Sequence, residues 1–205
     1  MKKHLPILIA CCTLFAFASF SNVKPESCSI IIKKGTITVA GNKITPGWEL
    51  SNFKIGLGDS DRTRDGYNKT HTYDNLGIVL FEPMVDKKPG GIISEFQIFF
   101  SVPEKNDVTP TGDCYKGSIK IDKFVVTKDL SSSVMLAKLK GWKKTESYTV
   151  HSYRMAKGEL YIYFLFNDEE TNLQKVSVGV KKKWFTFKRM CDFEKRWIKK
   201  RLSEL

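Results

Sequence analysis

The chain has 205 residues, of which 41% are hydrophobic and 27% charged, with 7 Pro and 14 Gly. That balance excludes a disordered, collagen-like or multi-spanning membrane chain and leaves one compact domain or two small ones. The 34 Lys+Arg against 22 Asp+Glu give a net charge of +12, which points to acidic partners only if the charge is spread over the body, and it is not.

The chain opens on a short basic stretch, Met1 to His4, followed by an apolar run from Leu5 to Phe17 and a small-x-small Ala16-Phe17-Ala18. This is the pattern of a secretory signal peptide, placed at residues 1–21, and the apolar run is shorter than the roughly 20 residues that a bilayer-spanning helix needs. Cleavage after Ser21 fits as well. Leu8-Ile9-Ala10-Cys11 resembles a lipobox, but it leaves little apolar chain before Cys11 and a greasy stretch after it, so lipidation is the lesser reading. The expected destination is the periplasm. The mature chain then holds Cys28, Cys114 and Cys191 where disulfides persist. Cys28 and Cys114 lie at the start of two similar stretches and are the expected pair; a buried free thiol is the rival reading at each position.

The body reads as one unit written twice. Lys34-Gly-Thr-Ile-Thr-Val39 recurs as Lys116-Gly-Ser-Ile-Lys-Ile121, and Lys43-Ile-Thr45 as Val125-Val-Thr127, at the same spacing. His71-Thr-Tyr73 then matches His151-Ser-Tyr153, Gly77 to Phe81 matches Leu160 to Phe164, and Ile93 to Phe100 matches Leu173 to Val180. Self-similarity of this length marks a supersecondary unit that packs on its twin or on its own helix. Apolar residues alternate within the matched stretches, as strands require. The segments Glu49 to Gly56 and Ser131 to Lys138 read as short helices, with Asp129 and Ser131 to Ser133 as N-cap oxygens and Gly58 and Gly141 as stops. The expected fold is therefore α+β: two tandem β-β-α-β-β-β units with antiparallel sheets, at 22–108 and 109–181, followed by a C-terminal helix at 182–205.

That last segment holds most of the charge. Residues 181–205 carry ten Lys/Arg against three acids, a net of +7, whereas 22–180 keeps only +3. At about 100° per residue Phe187, Cys191, Ile198, Leu202 and Leu205 fall together, with Lys188, Arg189, Arg196, Lys199 and Lys200 on the opposite side. The expectation is a basic amphipathic helix whose apolar side packs on the body. Those five cations are its candidate contacts with a membrane surface or a partner. No nucleic-acid-reading motif accompanies the charge.

Catalytic patterns are sparse. Beyond the signal the histidines are His71 and His151, which the repeat explains as structural, and no HExxH, GxSxG or phosphate-loop pattern occurs. Asp61, Thr63 and Asp65-Gly66 imitate the start of a calcium loop, but its twelfth position is Thr72 instead of a bidentate Glu. No metal or cofactor is expected, and Asn68-Lys-Thr70 is a weak glycosylation match.

Gly35-Thr-Ile-Thr-Val39, Ile55-Gly-Leu-Gly-Asp-Ser-Asp61, Tyr73 to Phe81 and Ile93 to Phe100 together resemble a family of small exported bacterial proteins, several of which look like immunity proteins to secreted antibacterial effectors. The layout is also similar, at the level of fold, to the tandem-repeat β-lactamase inhibitory proteins, whose sheet forms a concave binding face. The resemblance implies a non-enzymatic periplasmic protein that binds and neutralises a toxin acting in the envelope, its partner being that toxin and no nucleic acid. The alternative is an envelope-maintenance or assembly protein working through the basic helix. The aromatic content of 12% suits either binding anchors or two small cores.

Overall fold

The computed structural model describes residues 27–44, 48–102, 106–112, 114–147 and 149–180. The expected signal peptide at 1–21 and the expected basic helix at 182–205, with Lys188, Arg189, Arg196, Lys199 and Lys200, lie outside the described residues.

The elements are β1 (Ser29–Lys33), β2 (Thr36–Val39), β3 (Asn42–Ile44), α1 (Leu50–Leu57), β4 (Arg62–Arg64), β5 (Asn68–Tyr73), a 3-10 turn (Asp74–Leu76), β6 (Ile78–Val85), β7 (Lys88–Pro89), β8 (Glu95–Phe99), β9 (Ser118–Ile121), β10 (Phe124–Val126), α2 (Ser132–Lys138), β11 (Lys143–Thr145), β12 (Ser152–Lys157), β13 (Leu160–Phe166) and β14 (Leu173–Val180). The fold is thus predominantly β, which corrects the α+β expectation. Two helices of 8 and 7 residues are too short to cover a sheet face alone, and the apolar residues of both sheets and both helices form one shared core.

Nor does each half own a sheet. One sheet runs β10-β9-β1-β2-β3 and the other β11-β12-β13-β14-β8-β6-β5-β4, with β7 paired to β6. Both halves contribute to both sheets. In the large sheet the order reads outward from the antiparallel β8/β14 pair, which joins Phe96 to Val178 and Ile98 to Val176. In the small sheet the hairpins β2/β3 and β9/β10 flank β1, which is antiparallel to β2 and parallel to β9. After the hairpin each half carries the order helix and then four sheet strands: α1-β4-β5-β6-β8 and α2-β11-β12-β13-β14.

Alternation decides what each sheet buries. On β1, Ile30 and Ile32 are buried while Ser29, Ile31 and Lys33 are exposed. Their cross-strand partners Val39, Ile37, Ile119 and Ile121 are buried too. On the large sheet the inner rows are Ile78–Ile98–Val176–Phe164 and Leu80–Phe96–Val178–Ile162, each joined by direct pairing and each residue at most 1% exposed. These residues form one apolar cluster with those of the small sheet. Helix α1 packs on β2 and β3, and its Phe53 meets Phe96 of the large sheet edge-on, with ring centroids 5.7 Å apart. Helix α2 is capped by Ser131, whose side chain accepts from the Val134 amide.

Cys28 and Cys114 are both free thiols, so the expected disulfide is not formed. Cys28 heads β1, where its carbonyl accepts a hydrogen bond from the Tyr115 hydroxyl at 2.7 Å. Cys114 immediately precedes Tyr115 and lies against Gly77 at the start of β6. Burial pushes the Cys28 thiol up to about 11, which keeps it protonated and unreactive at neutral pH.

Candidate interaction face

The residues between those inner rows point the other way, and no element among the described residues is packed over them, though Val79, Ser177 and Phe99 are themselves buried. Register sets them in three rows across β6, β8, β14, β13 and β12: Phe81–Glu95–Gly179–Tyr161–Ala156, then Val79–Gln97–Ser177–Tyr163–Arg154, then Phe99–Lys175–Leu165–Ser152. Phe81, Glu95, Gln97, Tyr161, Tyr163, Leu165, Arg154 and Lys175 are all half-buried, a mixture of aromatic, apolar and charged groups that a wholly solvated sheet face does not need.

The polar groups on this face are held in place. The Tyr161 hydroxyl donates to Glu95 Oε2 at 2.6 Å, Gln97 Nε2 donates to Glu95 Oε1 at 2.9 Å, and the Arg154 guanidinium carbon lies 4.3 Å from the Tyr161 ring centroid. Burial, reinforced by the Glu95 carboxylate, drives the Tyr161 hydroxyl well above the ordinary phenol range, so it remains a donor. The ring can lie flat because its cross-strand neighbour is Gly179: a Cβ there would fall 2.2 Å from the ring. Glycine at this point of β14 is a seat for Tyr161.

One end of the face is bounded by the segment that joins the halves. Arg62 on β4 donates through Nε and Nη2 to the two carboxylate oxygens of Asp74 at 2.8 and 2.9 Å. It also donates to the carbonyls of Asp107 at 3.1 Å and Thr109 at 2.9 Å. Asp74 in turn accepts from the Thr111 amide at 2.7 Å and the Thr111 hydroxyl at 3.0 Å. Residues 106–112 are thereby strapped down, with the Thr72 hydroxyl donating to the Val108 carbonyl at 3.3 Å. Between strap and sheet lies a cleft of about 410 Å3 lined by Arg64, Phe81, Gln97, Phe99, residues 106–109 and Lys175.

The bidentate Arg62 contact, aided by Thr111, holds the Asp74 carboxyl below its ordinary value. A depressed carboxylate contributes stability that is complete above its unfolded-state pKa and is lost as the pH falls through the folded value. Asp74→Asn is therefore expected to lower the unfolding free energy by about 1.5–3 kcal/mol near neutrality. The gap to the unsubstituted protein should close on acidification as the carboxyl is protonated, as followed by urea unfolding at several pH values; a gap independent of pH would show that the charge on Asp74 does not matter.

The two histidines each meet a carboxylate. His71 on β5 is 4% exposed and its Nε2 donates to Glu82 Oε2 at 2.8 Å. His151 sits in the turn before β12, not in a strand, with Nδ1 3.2 Å from Glu170 Oε1. Glu170 also accepts from Ser132 at 2.5 Å and Tyr153 at 2.6 Å, and these donors hold its carboxyl below the ordinary value. Both pairs adjoin the first residue of a helix: Leu50 N donates to the carbonyl of Gly91, whose own amide donates to Glu82, and Ser132 N donates to the carbonyl of Glu170. Asp61, from the calcium-like stretch, accepts from the Asp74 amide at 2.8 Å, while Thr63 lies on β4 and Asp65 follows it. No group of three metal-ligating side chains occurs among the described residues.

No curated protein matches the chain. Among solved structures, a cysteine-rich secretory protein from Staphylococcus aureus overlaps with a TM-score of 0.40 at 10% identity, covering 66% of this chain and 43% of that one. The present chain thus spans less than half the length of that structure. A family model matches residues 29–135, from β1 into α2, and the chain belongs to the family described as a domain of unknown function, DUF7738.

Proposed function

We propose that this is a non-enzymatic binding protein of the bacterial envelope, which neutralises a secreted antibacterial toxin by docking it on the outer face of the large sheet. The observation that carries the reading is that face: half-buried Phe81, Tyr161, Tyr163, Arg154 and Lys175 lie in three cross-strand rows, internally tied by Tyr161, Glu95, Gln97 and Arg154. Side chains already fixed in one rotamer lose little entropy on binding, and Tyr and Arg are the residue types that dominate interface energetics. Support also comes from the export pattern at the N-terminus and the resemblance to immunity proteins. The twofold arrangement of the halves gives the face its width.

The test is capture of secreted effectors from sibling cells by the tagged protein, followed by an assay of the captured effector's activity on mixing. A single stoichiometric effector, inhibited by the protein, is the expected result. Tyr161→Ala and Tyr163→Ala should each weaken that complex at least about tenfold while leaving the melting temperature of the free protein within a few degrees. Recovery of assembly machinery or lipid alone, or a complex indifferent to both substitutions, would overturn the reading.

A further inference from the structure

Among the described residues, the cleft beside the strap holds a lysine without an ion-pair partner. Lys175 lines it with its ammonium 5.6 Å from the Phe99 ring centroid. Among the described residues no carboxylate lies within ion-pair distance of that ammonium. The nearby acids are engaged: Glu95 accepts from Tyr161 and Gln97, and Asp74 from Arg62 and Thr111. Asp107 takes one nitrogen of Arg64, Nη1, at 2.6 Å, leaving the other guanidinium donors of Arg64 for a second acceptor. An aromatic face holds a cation in position without neutralising it. Two cationic side chains, Lys175 and Arg64, therefore line a cleft together with Phe81, Phe99 and the Asp107 carboxylate.

From this juxtaposition we propose that the cleft receives an acidic side chain of the docked protein together with an adjoining apolar one. The carboxylate meets Lys175 and Arg64, and the apolar group lies against the half-buried Phe81, beside the already buried Phe99. The proposal rests on the binding function above and names the chemistry of one contact within it. A carboxylate in a partly water-excluded cleft, facing cations fixed before binding, adds affinity and also rejects partners lacking it, because an uncompensated ammonium would then be covered.

The probe is 3-phenylpropanoate, which carries both groups, titrated into the labelled protein with side-chain and amide resonances observed by NMR. The neutral 3-phenylpropanamide serves as its control. Saturable shifts at Phe81, Phe99 and Lys175 with a dissociation constant on the order of 1 mM are expected for the acid, and about tenfold weaker binding for the amide. Lys175→Met should abolish that preference without changing the melt, because among the described residues Lys175 makes no ion pair. Equal binding of acid and amide, or no shift with either, overturns the proposal. Failure here is separable from failure of the functional reading: an effector complex weakened by Tyr161→Ala but unaffected by Lys175→Met keeps the docking face and removes the carboxylate contact.

Discussion

Glu82→Ala is expected to lower the free energy of unfolding by about 3–5 kcal/mol, a large part of the roughly 5–15 kcal/mol that holds a domain together. Glu82 lies on the inner face of β6 and is 2% exposed. One carboxylate oxygen accepts from His71 Nε2 on β5, and the other accepts from the Gly91 amide. Gly91 is itself bonded through its carbonyl to the Leu50 amide at the start of α1. Truncation leaves the buried His71 imidazole N–H without an acceptor, which costs about 1–3 kcal/mol, and releases the Gly91 amide on the exposed side of the pair. It also frees the chain segment that meets the first turn of α1, so the loss should spread to the packing of Phe53 on Phe96 and Trp48. Glu82→Gln keeps one oxygen acceptor and nearly the same volume, and should lose less than half as much. Urea unfolding followed by far-ultraviolet circular dichroism measures both; an alanine variant within about 1 kcal/mol of the unsubstituted protein would show that the buried pair contributes specificity without stability.

What the sequence made legible is the part governed by local periodicity. The stretches from Ile37, Ile119, Phe96 and Val176 show the period-two alternation of strands, and α2 starts where the Ser131 oxygen caps it, whereas α1 begins after Glu49 with no side-chain cap. The short edge strands β4 and β11 read Arg-Thr-Arg and Lys-Lys-Thr, with no apolar residue to betray them. β1 reads Ser-Ile-Ile-Ile-Lys, with an exposed Ile31 between its two buried neighbours, so its alternation is masked. The larger error lay in the assignment of strands to sheets. Alternation shows which side of a strand is buried but carries no information about what covers it, and the pairings that merge the halves, β1 with β9 and β8 with β14, join residues nearly 80 or more positions apart. For the same reason the outer face was invisible in advance: Tyr161, Lys175 and Gln97 become neighbours only through cross-strand register. Its one local trace was Gly179 between Val178 and Val180, which reads as a strand weakness until the Tyr161 ring is seen lying against it.

The merger of the halves also identifies the position least able to accept a side chain. Gly117 lies at the entry to β9, where β1 and β9 run parallel from Ser29 and Ser118. A Cβ at Gly117 would sit 1.8 Å from the carbonyl oxygen of Cys28 and 2.6 Å from the Tyr115 hydroxyl. The first contact is with backbone, which no rotamer change relieves, and the second is with a hydroxyl already donating to that same carbonyl. To admit even a methyl group the two strands must separate at the junction between the hairpins of the two halves. Overpacking of ordinary cores costs about 1–3 kcal/mol, and here the strain falls on a strand ladder, so Gly117→Ala is expected to cost at least about 3 kcal/mol. Gly141→Ala supplies the comparison. Nothing lies within 4 Å of a Cβ at Gly141, and its backbone φ is outside the range that favours glycine, so that change should be neutral or stabilising by a few tenths of a kcal/mol through the unfolded chain. If the two alanine variants unfold at the same urea concentration, the close approach of β1 to β9 is not what holds the two halves in one sheet. If Gly117→Ala alone fails to accumulate as folded protein while Gly141→Ala does, a milder probe of the same junction is Tyr115→Phe. It removes only the hydroxyl donated to Cys28, and should cost about 1 kcal/mol.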